Sequence, residues 1–215
     1  MTTYEELRES KIVKLKALHE KGINPFPYQY IRTHVAREIH EKFNSLQNGE
    51  ESSQHAKVCG KIMSIRTFGK LVFLDLHDDT GKIQVQLKNG ITQEKTFEFV
   101  PMLDSGDYAA AEGKIVRTQR GEISVLAENV ILLSKSIAPM PDKWHGVSDV
   151  ETRYRQRYLD LALNPEIKKV FGNRAKIIQS IRRVLDNQGF VEVEIPTLQP
   201  EYGGANARPF TTRSN

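Results

Sequence analysis

Four side chains in one stretch of the sequence have chemistry suited to holding a single-stranded nucleic acid: Arg66, Phe73, Gln84 and Glu122. An aromatic ring can stack on an unpaired base, and guanidinium, amide and carboxylate groups can form hydrogen bonds with base edges. The alternative interpretation is that Phe73 packs under a loop and that the other three are ordinary polar surface residues. The residue types leave both interpretations open, so the elements that position these side chains matter.

Residues 57–135, which contain all four side chains, have the pattern of a small β-barrel. Apolar and polar residues alternate along 71–77 and 82–87, which predicts strands with one buried and one exposed face, and Phe73 falls on the exposed face. A more helical segment, 93–103, separates the third strand from the fourth, as in an OB-fold. The runs with strand character are 58–66, 71–77, 82–87, 109–117, 121–126 and 128–133, which together predict a five-stranded barrel.

The first 56 residues are predicted to form an N-terminal helical extension. Thr3 and Glu6 have the spacing of a capping box at the start of a helix over 4–21. Basic residues of this helix are nearly balanced by acidic ones, so a solvated helix is the first interpretation. The second interpretation is a helix that contacts the phosphates of a nucleic-acid backbone through Lys11 and Lys14.

The connections around the barrel are predicted from turn residues and helix caps. A short second helix around 35–43 is followed by a polar loop, 48–53, that leads into the barrel. Residues 136–148 contain prolines and a glycine and are predicted to be a linker between domains. Asp149 then caps a helix that contains 153–161, and it opens a second domain that continues to residue 215.

A long amphipathic helix is predicted over 165–188. Asn164 before the proline is typical of a helix start, and Gly189 is typical of a helix end. The alternation in 190–195 predicts a strand that Pro196 ends. Little chain remains to cover the apolar face of this helix, so the pattern predicts a contact with more of the same protein or with a second copy of it.

Composition limits the possible classes of protein. The chain has 215 residues, a formal net charge of +4 and a single cysteine, Cys59. One cysteine excludes a disulfide framework, and a small core residue is the preferred interpretation of Cys59 over a nucleophile. No segment resembles a signal peptide or reaches transmembrane length, so a cytoplasmic protein with no membrane partner is expected. The charge alone does not decide for a nucleic-acid partner.

Several motifs make the sequence similar to a known family, the class II lysyl-tRNA synthetases of bacterial and eukaryotic type. The resemblance covers about 57–215, and the N-terminal helix also fits it. The motifs that carry it are RYRQRYLDL at 153–161, GGANARPF at 203–210, KWHG at 143–146, preceded by Pro141 and Asp142, and the segment 171–196. The last segment is similar to the first class-defining motif of the family, which is a long helix and a strand that ends in a proline.

The resemblance implies an α+β fold and a site residue by residue. N-terminal helices and a five-stranded OB-fold anticodon-binding barrel would precede the start of a class II catalytic domain. Phe73 would stack on the middle uridine of the anticodon, Gln84 and Arg66 would read its polar edges, and Glu122 would contact a neighbouring base. Gly203 and Gly204 resemble the glycines whose backbone approaches the lysine substrate. The family pairs the first motif across a homodimer, which implies an interface at Phe171, Ile178, Ile181 and Pro196.

The resemblance also implies a reaction and its reactants. The family joins L-lysine to lysine tRNA and uses ATP and Mg²⁺ in the complete enzyme. The second and third motifs of the family, which hold ATP and most of the lysine pocket, do not occur in the 215 residues. We therefore expect the chain to be the N-terminal part of the enzyme. Alone, it is expected to have no complete catalytic site, to bind neither ATP nor a metal, and to be inactive.

Two other functions are compatible with parts of the sequence. A stand-alone OB-fold module that binds single-stranded nucleic acid would account for the barrel but not for 164–196. Aspartyl- or asparaginyl-tRNA synthetases share the barrel and also meet a middle uridine. The 153–161 and 203–210 motifs are closer to the lysyl branch, which favours lysine tRNA as the partner, and no DNA partner is expected.

Overall fold

The structure, a computed structural model, describes residues 3–139, 149–196 and Thr212. It divides into two compact units, Met1–Pro141 and Asp142–Asn215, and each is described here by itself. The helices are α1 (Tyr4–Glu20), α2 (Ala36–Lys42), α3 (Glu94–Phe99), α4 (Val150–Arg155), α5 (Arg157–Leu163) and α6 (Pro165–Asn187). The strands are β1 (Glu51–Phe68), β2 (Leu71–His77), β3 (Lys82–Lys88), β4 (Tyr108–Arg117) and β5 (Ile123–Ser134).

The five strands close into a barrel in the order β1-β2-β3-β5-β4, which confirms the predicted OB-fold. Neighbouring strands are antiparallel except for β3 and β5, which are parallel. α3 and a single 3₁₀ turn, Val100–Met102, stand between β3 and β4, where a helical segment was predicted. Residues at alternate positions are buried in the interior, among them Leu74, Leu76, Val85, Leu87, Ile115, Val125 and Leu132.

Two strands are longer than the sequence pattern predicts. β1 starts at Glu51, within the segment predicted to be a polar loop, because Glu51 and His55 pair with Val116 and Lys114 of β4. β5 runs unbroken from Ile123 to Ser134, where the pattern gave two runs, because it pairs with β4 along its whole length. Hydrogen bonding with a neighbouring strand thus extends both strands through residues whose own alternation is weak.

Gly113 lies where β4 and β5 approach most closely, beside an irregularity in their register. A Cβ atom at this position would lie 2.0 Å from the carbonyl oxygen of Leu126, which is backbone and cannot move aside alone. We therefore expect Gly113→Ala to lower the free energy of unfolding by about 1–3 kcal/mol, the usual cost of overpacking. Urea denaturation followed by circular dichroism measures this loss.

Gly81→Ala is the matched control for that substitution. Gly81 lies in the same barrel, between β2 and β3, and its added Cβ would make only an ordinary contact, 3.9 Å from the Cβ of Ala36. The control is expected to unfold near the wild-type urea concentration. Equal midpoints for the two variants would contradict the close approach at Gly113.

The N-terminal helix is fixed to the barrel by buried charges. Its capping box is confirmed: the Glu6 amide donates to Thr3 Oγ1 at 3.3 Å, and the Thr3 amide donates to Glu6 Oε2 at 2.7 Å. Lys11 is buried, and its Nζ donates to the carbonyl oxygens of Ser105 and Ser136. Lys14 forms an ion pair with Asp104 at 2.6 Å.

The predicted phosphate contact of Lys11 is therefore wrong for this structure, because the residue is buried and its ammonium group donates to two backbone carbonyl oxygens. Lys14 is part-exposed but is held by Asp104. Both lysines belong to an ion cluster, defined here as Lys11, Lys14, Asp104, Asp107 and Lys135. Lys135 is fully buried and lies 2.6 Å from Asp104 and 2.8 Å from the fully buried Asp107.

In the second unit, a buried carboxylate divides the helix that was predicted to run through 153–161. The chain bends at Gln156, between α4 and α5, and Asp160 accepts hydrogen bonds from Asn164, Arg153 and Arg157. The Asn164 hydrogen bond, together with the two guanidinium groups, lowers the pKa of Asp160. Asn164 precedes α6 as predicted, but its side chain binds Asp160 and does not cap the helix.

α6 matches the predicted long helix, and Gly189, with φ of 83°, follows its end. The strand predicted over 190–195 is not formed. Instead, the Phe190 amide donates to Leu185 O at 3.1 Å and Arg182 pairs with Glu192 at 2.9 Å, so the start of this segment turns back onto α6. A strand requires a hydrogen-bonding neighbour, and the described residues offer none to this segment.

Candidate nucleic-acid interface

A groove of about 730 Å³ lies on the outer surface of the barrel, and it brings together all four predicted base-binding side chains. Its floor is formed by outward-facing residues of β1, β2 and β3, and the loop between β4 and β5 closes one side. This is the surface that OB-folds use for oligonucleotides. The side chains that line the groove include Arg66, Phe68, Phe73, Asp75, Lys82, Gln84 and Glu122.

Two aromatic rings lie on the groove surface. Phe73 is half-buried on β2, and its ring meets that of Phe68 edge-on, with the ring centres 6.2 Å apart. The guanidinium group of Arg66 lies 5.8 Å from the centre of the Phe73 ring, opposite it across the β1–β2 pair. A ring held in this way offers a flat surface on which a base can stack. The interpretation of Phe73 as interior packing is therefore not favoured.

Arg66 is oriented by an acid on the neighbouring strand. Its Nη2 donates to Asp75 Oδ1 at 2.9 Å, and the other carboxylate oxygen of Asp75 accepts from the Ser64 hydroxyl at 2.5 Å. The carboxylate therefore has a partner on each oxygen. Arg66 keeps its remaining N–H donors for the groove, since a guanidinium has five.

Gln84 and Glu122 also have fixed partners. The Ser124 hydroxyl donates to Gln84 Oε1 at 2.9 Å. Glu122 forms an ion pair with Lys82 at 3.2 Å, and its backbone amide donates to Thr118 Oγ1 at 3.0 Å in the loop between β4 and β5. Both groups are oriented toward the groove before any ligand arrives.

Basic side chains outnumber acidic ones around the groove. Arg120 and Lys88 lie on its rim with Lys82 and Arg66. Arg117 also lines the groove. Its guanidinium group donates to the carbonyl oxygens of Asn44, Leu46 and Gly121, so it holds the loop between α2 and β1 in place. A rim of this charge is suited to a phosphate backbone.

All four residues that the sequence predicted as base contacts line the groove, but their hydrogen-bonding partners were not predicted. These partners are Asp75, Ser124 and Lys82. Strand pairing brings them near the groove residues: Asp75 lies opposite Gln84, and Gln84 lies opposite Ser124. Alternation within single strands does not reveal which residues of two strands are neighbours. The sequence signals that could have revealed these partners were an acid, Asp75, and a serine, Ser124, at positions that alternation places on the outer face of the barrel.

The remaining predicted positions are a glycine pair, two sequence motifs and Cys59. Gly203 and Gly204 lie outside the described residues, as do the 143–146 motif and the whole of 203–210. Cys59 is half-buried, and burial raises the pKa of its thiol, which does not favour a nucleophilic thiolate.

The described residues include neither a cluster of metal ligands nor a membrane-spanning helix. No three His, Cys, Asp or Glu side chains among them are grouped so that they could hold a metal ion. Of the described helices, none is both long enough and apolar enough to cross a membrane.

Three of the four predicted interface residues lie on one exposed stripe of α6. Phe171 is 42% exposed, Ile178 38% and Ile181 55%, and Pro196 beyond the helix is exposed. A monomeric protein seldom leaves so many large apolar residues of one helix in water. The exposed stripe of α6 thus provides an apolar face for a contact with a partner.

Comparison with known proteins identifies two families along the chain. Residues 56–133 match the family described as OB-fold nucleic acid binding domain. Residues 149–215 match the family described as tRNA synthetases class II (D, K and N). Lysine–tRNA ligase of Nostoc sp. is 44% identical over 98% of this chain. Over nearly its whole length, the chain is thus similar to lysine–tRNA ligases.

Further lysine–tRNA ligases have the same extent of similarity. The proteins of Thermosynechococcus vestitus and Roseiflexus sp. are each 46% identical to this chain over 98% of its length. The chain covers 39% of the Nostoc protein, 42% of the Thermosynechococcus protein and 43% of the Roseiflexus protein. It thus spans about two fifths of the length of the lysine–tRNA ligases that it matches.

Proposed function

We propose that this chain is part of a lysine–tRNA ligase and that its barrel binds the anticodon of lysine tRNA. The whole enzyme would attach L-lysine to the tRNA with ATP and Mg²⁺. The observation that carries the proposal is that Arg66, Phe73, Gln84 and Glu122, chosen by resemblance to anticodon-binding residues, line one groove. The proposed domains are the extension 1–56, the barrel 57–135, the linker 136–148 and the start of the catalytic domain 149–215.

The groove would hold the anticodon in three ways. The Phe73 ring would stack on the middle uridine, with the Arg66 guanidinium beside it. The donors of Arg66 and Gln84 would bond to the edge of that base, and Glu122 would accept from a neighbouring base. Basic residues of the rim, Lys88 and Arg120, would contact the backbone phosphates. Base contacts of this kind specify a sequence, whereas phosphate contacts position the strand.

A titration with two RNA hairpins tests this function. The first is the anticodon stem-loop of lysine tRNA, and the second has cytidine in place of the middle uridine. We expect the purified chain to bind the first hairpin more tightly by about 1–3 kcal/mol, the usual cost of one wrong base. Equal affinity for the two hairpins would contradict anticodon reading and would favour a general single-strand-binding module.

We also propose that α6 forms the contact of a homodimer. The exposed stripe of Phe171, Ile178 and Ile181 would be buried between two copies, and Pro196 would lie at its edge. Burying one large apolar side chain is worth about 1.5–3 kcal/mol. Ile181→Asp is therefore expected to raise the dissociation constant of the dimer at least about tenfold.

Sedimentation over a range of protein concentrations measures that shift. Ser180→Asp adds the same charge to an exposed position of α6 outside the stripe and is the matched control. Helical content by circular dichroism should be the same in both variants. A wild-type chain that remains monomeric at every concentration would contradict the proposed dimer.

A further inference from the structure

We infer that Ser124 fixes which end of the Gln84 amide faces the groove and thereby makes the groove select a base with a carbonyl oxygen. This inference rests on the proposed function, since it concerns how the same groove chooses its base. Ser124 would not touch the RNA. It would be a positioning residue that acts through Gln84.

The parallel pairing of β3 with β5 places Ser124 directly opposite Gln84. Ser124 is fully buried, between the buried residues Ile123 and Val125 of β5. A buried hydroxyl without a partner is costly, so Ser124 must keep its hydrogen bond. Its donor bond to Gln84 Oε1 measures 2.9 Å. The carbonyl oxygen of Glu122 lies farther from the same hydroxyl, at 3.3 Å, and the hydroxyl has only one hydrogen to give.

This bond determines what the amide can offer to a ligand. With Oε1 occupied by Ser124, Gln84 presents the two N–H donors of its Nε2. Arg66, on the other side of Phe73, also presents donors only, because its guanidinium is held by Asp75 at 2.9 Å and has no acceptor. Two of the polar groups near the stacking ring, Gln84 and Arg66, thus present donors to the groove.

Such a groove distinguishes uracil from cytosine by a physical rule. At position 4 a uracil has a carbonyl oxygen, as thymine does, whereas cytosine has an amino group that is itself a donor. A donor from Gln84 would meet an acceptor in the first case and another donor in the second. Without Ser124 the amide can rotate, present Oε1 and accept from the cytosine amino group.

The test measures the ratio of affinities for two anticodon stem-loops, one with uridine and one with cytidine at the middle position. We expect Ser124→Ala to lower the preference for uridine at least about threefold, the value of one neutral hydrogen bond. Gln84→Glu, which has acceptors only, is expected to move the ratio further toward cytidine. A uridine preference in Gln84→Glu equal to that of the wild type would overturn the inference.

Thr96→Val is the matched control. Thr96 is a fully buried residue of α3, and its hydroxyl donates to Asn129 Oδ1 at 3.1 Å, away from the groove. Both substitutions delete a buried hydroxyl, so they are expected to lower thermal stability, but only Ser124→Ala should change the ratio. An equal change in Thr96→Val would attribute the effect to stability and overturn the inference.

The outcomes also separate this inference from the function on which it rests. If the wild-type chain binds both stem-loops equally, the proposed anticodon site itself is wrong. If the wild type prefers uridine and Ser124→Ala keeps the full preference, the anticodon site stands and the role of Ser124 is overturned.

Discussion

Phe73→Ala is expected to weaken binding of the lysine anticodon stem-loop by about 1–3 kcal/mol, the value of one base stacked on an aromatic ring. The ring is half-buried beside Phe68 and Arg66, so it is already fixed where the base would stack. Fluorescence titration of a labelled stem-loop at constant salt measures the loss. Salt must be held constant because phosphate contacts make the affinity depend on it.

Tyr28→Ala is the control for Phe73→Ala. Tyr28 is a fully exposed aromatic residue of the connector between α1 and α2, outside the groove. Its removal should leave the affinity for the stem-loop unchanged. A loss of affinity in both variants would point to general attraction between RNA and exposed rings. Unchanged binding by Phe73→Ala would remove the groove as the stacking site.

Lys135→Ala is expected to have the largest effect on stability. It removes the cation that bonds to the fully buried Asp107 at 2.8 Å and to Asp104 at 2.6 Å. Leaving a buried charge without its partner usually costs about 3–5 kcal/mol. Chemical denaturation should therefore show a much lower free energy of unfolding. Lys57→Ala, which breaks an exposed pair with Glu112, is the control and should cost no more than about 1 kcal/mol.

The same ion cluster predicts how stability depends on pH. Burial alone would raise the pKa of Asp104, but hydrogen bonds from Lys135 and Lys14 outweigh it and hold the pKa below its ordinary value. A carboxylate with a lowered pKa stabilises the fold above its ordinary pKa, and the stabilisation is lost as the pH falls through the folded value. This contribution to the stability of the barrel should thus be intact above about pH 5 and decline as the pH falls below about 4. The stability of the Lys135→Ala variant should decline less over the same pH range.

The barrel could be predicted because its information is local. Alternation in 71–77 and 82–87 gives the strands, and the proposed base-binding residues follow from the exposed face together with the family resemblance. The two-residue period also assigned Phe73 and Gln84 to that exposed face. Both lie in the groove.

What could not be predicted depends on contacts between distant residues. Lys11 has the sequence context of a solvated helix, but in the fold it is buried and donates to the carbonyl oxygens of Ser105 and Ser136. Asn164 has the sequence context of a helix cap, but its side chain donates to the Asp160 carboxylate instead. The 190–195 segment alternates as a strand does, yet a strand also needs a neighbour to bond with.

Photo-crosslinking tests the central claim, that the barrel groove is the anticodon site, most directly. A lysine anticodon stem-loop with 4-thiouridine at the middle position is irradiated with the wild-type chain, and the modified residue is identified by mass spectrometry. The crosslink is expected on the groove floor, at Phe73 or a neighbour such as Arg66 or Gln84. A crosslink confined to α1, to α6 or to the connector between α1 and α2 would contradict the account.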